Sequence, residues 1–258
     1  MNIIAIIPAR MGSTRFPGKP LAKINGIPMV GHVYFRSKMS KILSDVYVAT
    51  CDKVIADYVT SIGGKVIMTK NAHKRASDRV AEAAQKIEQE TKKKADIIVM
   101  VQGDEPMIVP EMINASLRPL IKDPSLRVVN LMSKIHNVEN HNDRNEIKVV
   151  VDKENNALYF SREAIPTRCK NCNKITMYKQ VCVIPFRRNF LFEFSALKPT
   201  PLEIVESIDM LRVLEHGQKV RMVLSPVENT FSVDTSEDLL EVEKLMKNDP
   251  LIVKYKKY

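Results

Sequence analysis

Met1-Asn2-Ile3-Ile4-Ala5-Ile6-Ile7-Pro8-Ala9-Arg10-Met11-Gly12-Ser13-Thr14-Arg15-Phe16-Pro17-Gly18-Lys19-Pro20 opens the chain and decides its fold class. Asn2 to Ile7 is a β-branched apolar run, the pattern of a strand covered on both faces. A polar loop rich in Gly and Pro follows it at once, from Ala9 to Pro20. In open α/β sheets ligands bind where strands end in such loops. The loop carries Arg10, Arg15 and Lys19, and two glycines that let backbone N–H groups approach an anion. An Arg presents a fork that matches phosphate oxygens and a Lys presents a mobile point charge. The spacing is neither G-x-x-x-x-G-K-[ST] nor G-x-G-x-x-G. A charged surface loop with no ligand is the competing reading at this point.

Outward from this stretch the chain alternates strands and helices. A helix is expected from Pro28 to Met39 and a strand from Asp45 to Thr50. Asp52 is placed to cap a helix running to Ser61. Gly63-Gly64 marks a turn, and Lys65 to Thr69 a third strand. Ser77 to Gln89 reads as a helix, and Ala95 to Val101 as a strand ending in Gln102-Gly103-Asp104-Glu105-Pro106. This rhythm predicts an α/β fold with a doubly wound, mostly parallel, Rossmann-like sheet. Further on, Ile147 to Asp152 and Ala157 to Ser161 read as a hairpin, and Thr176 to Phe186 as an extended stretch. Leu202, Val205, Ile208, Leu211 and Leu214 recur at helical spacing from Pro201. Val220 to Leu224 is a strand. Thr235 to Met246 is a helix, with Thr235 and Asp238 forming a capping box. No repeat or linker interrupts the chain. The expectation is one domain over residues 1–258, with residues 145–200 as an inserted hairpin lobe for dimerisation and acceptor binding.

The bulk numbers bound the function. The chain has 258 residues, 45% of them hydrophobic, enough for a sizeable core. A net charge of +10 points to anionic partners, or to a Lys-rich solvated surface. Aromatic residues make up only 6% and Trp is absent, which argues against a nucleic-acid binder that stacks bases. The apolar start lacks a basic n-region and is broken by Pro8, so it reads as a strand and not as a signal peptide. No apolar run reaches the ~20 residues of a membrane span. The expected setting is the cytoplasm. Four cysteines are too few for a disulfide scaffold. Cys169 and Cys172 form a C-x-x-C, which stands as reduced thiols or as half of a zinc site.

Five segments, in order, carry a resemblance. They are Arg10 to Leu21, Gln102 to Pro106, Asn145 to Pro166 with its Tyr159-Phe160-Ser161-Arg162, Pro201 to Leu214, and Val233-Asp234-Thr235-Ser236-Glu237-Asp238-Leu239. They resemble the signature segments of the CMP-KDO synthetase (3-deoxy-manno-octulosonate cytidylyltransferase) family and span almost the full chain. The resemblance implies a nucleotidyltransferase that moves CMP from CTP to a 3-deoxy-sugar acid, KDO foremost, releasing pyrophosphate. A modified ulosonic acid or a phosphonate is the alternative acceptor. It implies Mg²⁺ held by Asp104 and Asp234, and a homodimer. Arg10, Lys19 and Asp104 would be catalytic. Ala9, Arg10, Ser13, Arg15, Lys19, His73, Ser77, Arg79 and Gln102 would line the nucleotide. Gln102, Arg162, Gln180, Glu203 and Asp209 would meet the acceptor. A single in-line displacement needs no protein nucleophile, so no Ser, Cys or His triad is expected.

The chain departs from the family pattern in three places. His73-Lys74-Arg75-Ala76-Ser77-Asp78-Arg79 stands for H-x-S-G-T-[DE]-R, which removes a glycine beside the nucleotide. Gln180 stands where the pattern has a His that meets the sugar acid. Ile208-Asp209-Met210-Leu211-Arg212 stands for L-E-Q-L-R. A sugar-nucleotide sensor without catalysis would be expected to lose a metal carboxylate or the phosphate Lys, and none of Arg10, Lys19, Asp104 and Asp234 is lost.

Overall fold

The computed structural model describes residues 1–12, 15–168, 176–228 and 231–256. The chain divides into two compact units: Met1–Asn114 with Thr230–Tyr258, and Ala115–Asn229.

In the first unit β1 (Ile3–Ala9) is buried at all seven positions, as a strand covered on both faces must be. A minimal hairpin follows, β2 (Lys23–Ile24) and β3 (Ile27–Pro28). Its turn is Asn25-Gly26, both at positive φ (48° and 86°), the pair that a tight hairpin turn of this hand favours. Then come α1 (Met29–Lys38), β4 (Asp45–Thr50), α2 (Lys53–Ser61), β5 (Lys65–Met68), α3 (Ala76–Thr91) and β6 (Ile97–Val101). The strands run in the order β6-β1-β4-β5, every pair parallel. This is the mostly parallel sheet expected from the alternation. α4 (Pro110–Lys122) then carries the chain into the second unit.

The second unit is built on a mixed sheet in the order β12-β7-β10-β8-β9. Its elements are β7 (Val129–Ile135), α5 (Val138–Asn142), β8 (Lys148–Val151), β9 (Ala157–Ser161), β10 (Met177–Val181), β11 (Val183–Arg187), α6 (Arg188–Ala196), α7 (Pro201–Glu206), α8 (Met210–Glu215) and β12 (Arg221–Leu224). The expected hairpin is β8 and β9, antiparallel, with a bulge between Val150 and Val151. Its turn is tied by Asp152 Oδ1, which accepts from the N–H groups of Glu154 and Asn156. The expected extended stretch from Thr176 is two strands, parted at Cys182.

The helical pattern from Pro201 is corrected by the structure. It is two short helices, broken at Ser207, whose φ is 57°. Leu202 and Val205 face outward, the latter 82% exposed, while Glu203 is fully buried. The cause is the ion pair between Glu203 and Arg212, which turns the polar position inward across the break.

α9 (Ser236–Leu245) belongs to the first unit. Its capping box is formed as expected: Thr235 Oγ1 accepts from Asp238 N, and Asp238 Oδ2 accepts from Thr235 N. A cluster of Ile24, Met29, Val233, Val242, Met246, Ile252 and Tyr255 packs this C-terminal segment on α1 and the small hairpin. Tyr255 OH is met by His32 Nδ1 and Arg36 Nε, each at 2.8 Å, and Arg36 also bonds Asp249.

Candidate active site

The loop after β1 is closed on itself. Gly18 takes a left-handed φ of 77°, which a side chain resists, and its N–H donates to Met11 O at 3.2 Å. Lys19 follows in a short 3-10 turn. Met11 N in turn donates to Asp52 Oδ2 at 2.8 Å. This corrects the expectation for Asp52. It stands at the N-cap position of α2, but its side chain makes no bond to that helix. A carboxylate bonded to a backbone N–H of the neighbouring loop outweighs the local cap, because the charge-assisted bond is formed in a partly buried place.

The end of β6 lies against the end of β1. A Cβ on Gly103 would sit 2.9 Å from Pro8 O, so only glycine lets the Gln102–Pro106 turn approach this closely. Asp104 is thereby held at the edge of the sheet. Its main chain is clamped by Val233 N, which donates to Asp104 O at 2.9 Å. Asp234 is next in the chain, and its N–H donates to Asp238 Oδ2 at the start of α9.

These three pieces converge on one ammonium. Lys19 Nζ donates to Asp104 Oδ2 (2.8 Å), Val233 O (2.8 Å) and Asp234 Oδ1 (3.1 Å). Arg15 reaches Asp234 Oδ1 from the open side at 3.0 Å, with its side chain half-exposed. Burial pulls the Lys19 pKa down, but the charges and hydrogen bonds of Asp104 and Asp234 outweigh it and hold the group above its ordinary value. Arg10 is exposed at the end of β1, and Ala9 is buried there, paired with Thr50 of β4. Ser13 lies outside the described residues.

Asp104 Oδ2 and Asp234 Oδ1 thus both meet the Lys19 ammonium, which lies between them. Two carboxylates, completed by phosphate and water oxygens, are a donor set that Mg²⁺ takes, and the chemistry of Asp104 and Asp234 fits that ion. No group of three or more His, Cys, Asp or Glu forms a cation cage among the described residues.

The segment before α3 is anchored rather than open. His73 Nε2 is paired with Glu82, which also accepts from Lys70 N at 3.0 Å and pairs with Lys86. Burial raises the Glu82 pKa, but the bonds from Lys86, Lys70 N and His73 prevail and bring it down to about 2. Ser77 and Arg79 are buried in the first turn of α3, where Arg79 Nη1 bonds Thr69 Oγ1 and Lys70 O. Gln102 is half-buried, and its carbonyl accepts from Glu105 N.

Apart from Gln102, which belongs to the first unit, the residues expected at the acceptor lie in the second unit. Arg162 donates to the carbonyls of Glu206 and Arg144. Gln180 Nε2 donates to Asn130, which is itself bonded to Leu131 O and Val181 O. Both carboxylate oxygens of Glu203 are bonded to Arg212 in the core. Asp209 is half-buried just before α8. Lys148 is fully buried, with its ammonium on the carbonyls of Asp143, Glu146 and Arg162. Burial lowers the Lys148 pKa against the pull of nearby Asp143, Glu146 and Glu163.

Asp52, Glu82 and Lys148 had no part in the sequence-based expectation as site supports. Each acts on backbone groups brought near by folding. The one local signal is the position of Asp52 just past the end of β4, beside β1. Cys169 and Cys172 lie outside the described residues, whereas Cys51 and Cys182 are in no disulfide.

The cytidylyltransferase family model matches residues 4–220. The 3-deoxy-manno-octulosonate cytidylyltransferase of Geobacter metallireducens is 45% identical over 256 residues, covering 95% of this chain and 98% of that one. The protein of the same description from Geobacter sulfurreducens is 44% identical, covering 95% and 100%. Among solved structures, a CMP:2-keto-3-deoxy-manno-octonic acid synthetase complexed with CTP superposes with a TM-score of 0.86. It is 38% identical, over 96% of this chain and 100% of that one. A 4-diphosphocytidyl-2C-methyl-D-erythritol synthase from Anaerococcus prevotii, 14% identical with a TM-score of 0.62 over 96% of this chain and 99% of that one, shares the fold alone.

Proposed function

The chain belongs to the 3-deoxy-manno-octulosonate cytidylyltransferase family, and we propose that it transfers CMP from CTP to 3-deoxy-manno-octulosonate, releasing pyrophosphate, with Mg²⁺ as the cofactor. The observation that carries the reading is the convergence of Lys19, Asp104 and Asp234 at the end of β1, in a chain so similar to enzymes of that description.

The chemistry asks for charge control more than for a nucleophile. CMP transfer places new negative charge on the departing pyrophosphate oxygens, and preorganised cations lower that barrier. Arg10, Arg15 and Lys19 supply three positive side chains along one loop. Lys19 also keeps two carboxylates side by side against their mutual repulsion. Asp104 and Asp234 would hold Mg²⁺, which when bound supplies a Lewis acid for the phosphate oxygens. The acceptor hydroxyl attacks the α-phosphorus opposite the leaving pyrophosphate, so no covalent enzyme intermediate is needed.

A homodimer and a cytoplasmic setting belong to the same proposal and rest on the family resemblance. No helix among the described residues is long and apolar enough to cross a membrane. Pyrophosphate release with CTP and Mg²⁺ tests the function against a panel of KDO, amino-substituted KDO, nonulosonic acids and small phosphonates. Release with KDO is the expected outcome. Release with another acid alone would reassign the acceptor, and silence across the panel would overturn the reading.

A further inference from the structure

We infer that Asp52 is a positioning residue for the nucleotide, acting through the main chain of Met11. This rests on the reading that the Arg10–Lys19 loop takes the triphosphate.

Met11 is the point from which that loop hangs. Its carbonyl accepts from Gly18 N, which sets where Lys19 leaves the loop. Its N–H is held by Asp52 Oδ2, which fixes the backbone directly after Arg10. One carboxylate thus governs both cationic ends of the loop, Arg10 before Met11 and Lys19 after Gly18. Asp52 is itself oriented. Its N–H donates to Thr50 Oγ1 at 3.1 Å, and Thr50 is fully buried on β4. Cys51 Sγ lies 3.5 Å from the same Asp52 oxygen and 3.4 Å from Asn71 Oδ1, so it bridges to the segment before α3.

The direction of this side chain is informative. An Asp at an N-cap ordinarily spends its oxygen on its own helix, and here α2 goes without that bond. A negative charge beside a loop that binds a polyanion is unfavourable by Coulomb's law alone. Its placement is accounted for by the geometry it imposes on the loop.

The two effects have opposite signs, which makes the inference testable. Steady-state kinetics of the full chain with CTP, Mg²⁺ and KDO would compare D52A, D52N and R10A. Loss of a charge-assisted hydrogen bond predicts a CTP KM about ten-fold higher in D52A, with a smaller change in kcat. D52N keeps a carbonyl acceptor in the same place and recovers most of that loss. A CTP KM in D52A that is unchanged or lower overturns the inference, the lower value being what charge removal alone gives. A D52N variant as impaired as D52A overturns it too. R10A separates the two readings. If its CTP KM is unchanged, the loop is not the triphosphate site. If R10A is impaired and D52A is not, only the role of Asp52 fails. Should D52A not fold, hydrogen exchange at the Met11 amide decides: slow exchange in the wild type and in D52N supports the bond, and fast exchange in the wild type removes it.

Discussion

Lys19 and Asp104 stand 85 positions apart in the chain, and Lys19 Nζ donates to Asp104 Oδ2 at 2.8 Å. The bond joins the loop after β1 to the turn after β6, two strands that are neighbours in the parallel sheet. Asp234 closes the triangle from the start of α9. A loop that reads as merely basic is thereby joined to two carboxylates that balance the charge of Lys19 and Arg15.

Asp104→Asn removes one charge from the cation position while leaving a side chain of the same size. We expect kcat/KM to fall by about 10²–10³, with the melting temperature moving only a few degrees because the group sits at the site edge. Pyrophosphate release and a thermal melt check both halves. Activity near wild type would take Asp104 out of the metal role.

Gly103→Ala tests the close approach of β6 to β1. The new methyl would meet Pro8 O at 2.9 Å, and backbone gives way poorly. Overpacking of this kind costs roughly 1–3 kcal/mol, and the shift it forces carries Asp104 with it. The expected result is a lower urea midpoint together with an activity loss greater than ten-fold. A stable and fully active variant would show that the approach is not needed.

Acid sensitivity follows from one buried group, His32, and one half-buried group, Glu82. Burial, helped by the nearby Arg36 charge and opposed by the Ile24 carbonyl and Asp249, brings the His32 pKa down from 6.5 to about 4. A group with a depressed folded pKa stabilises the fold above its unfolded value and loses that contribution as pH falls through the folded value. His32 therefore acts between pH 6.5 and about 4, and Glu82 between 4.5 and about 2. Stability should decline in two overlapping stages on acidification. His32→Gln should flatten the upper stage and Glu82→Gln the lower, as read by urea melts at stepped pH. Unaltered profiles would show that these groups do not govern it.

Arg212→Met leaves the buried Glu203 carboxylate without the guanidinium that neutralises it. Breaking such a pair costs about 3–5 kcal/mol, whereas replacing both members by apolar residues is often neutral. The double variant Arg212→Met with Glu203→Leu should therefore recover most of the loss. A double-mutant cycle in urea measures it. If the double variant is no better than the single one, the pair has a role beyond mutual neutralisation.

Local pattern carried much of the fold. Asp45 to Thr50 is a strand with the boundaries its β-branched run suggests, and the Thr235–Asp238 box caps α9 as its spacing implies. What was not legible had a non-local cause. β7 was missed because Asn130 and Ser133 are buried polar positions that hide its apolar pattern. Those side chains find partners in Val181 O and Glu228 O, which no reading of β7 by itself reveals. α4 and α6 were missed as well, the former with Pro119 in its interior. The Pro201–Leu214 pattern misled because an ion pair nine residues long in sequence turned Glu203 inward and left Val205 in solvent.

The sequence by itself determined the alternation of strands and helices, the cationic loop after the first strand, and the ordered segments that mark the family. These depend on periodicity and short spacings, which act over one turn or one strand. Only the tertiary structure decided which charges meet. Lys19 finds Asp104 and Asp234 across 85 and 215 positions, and Asp52 leaves its own helix for Met11. Such contacts are set by which strand ends the crossovers bring together. There a partly buried charge must find a partner, and the nearest one in space prevails over the nearest one in sequence.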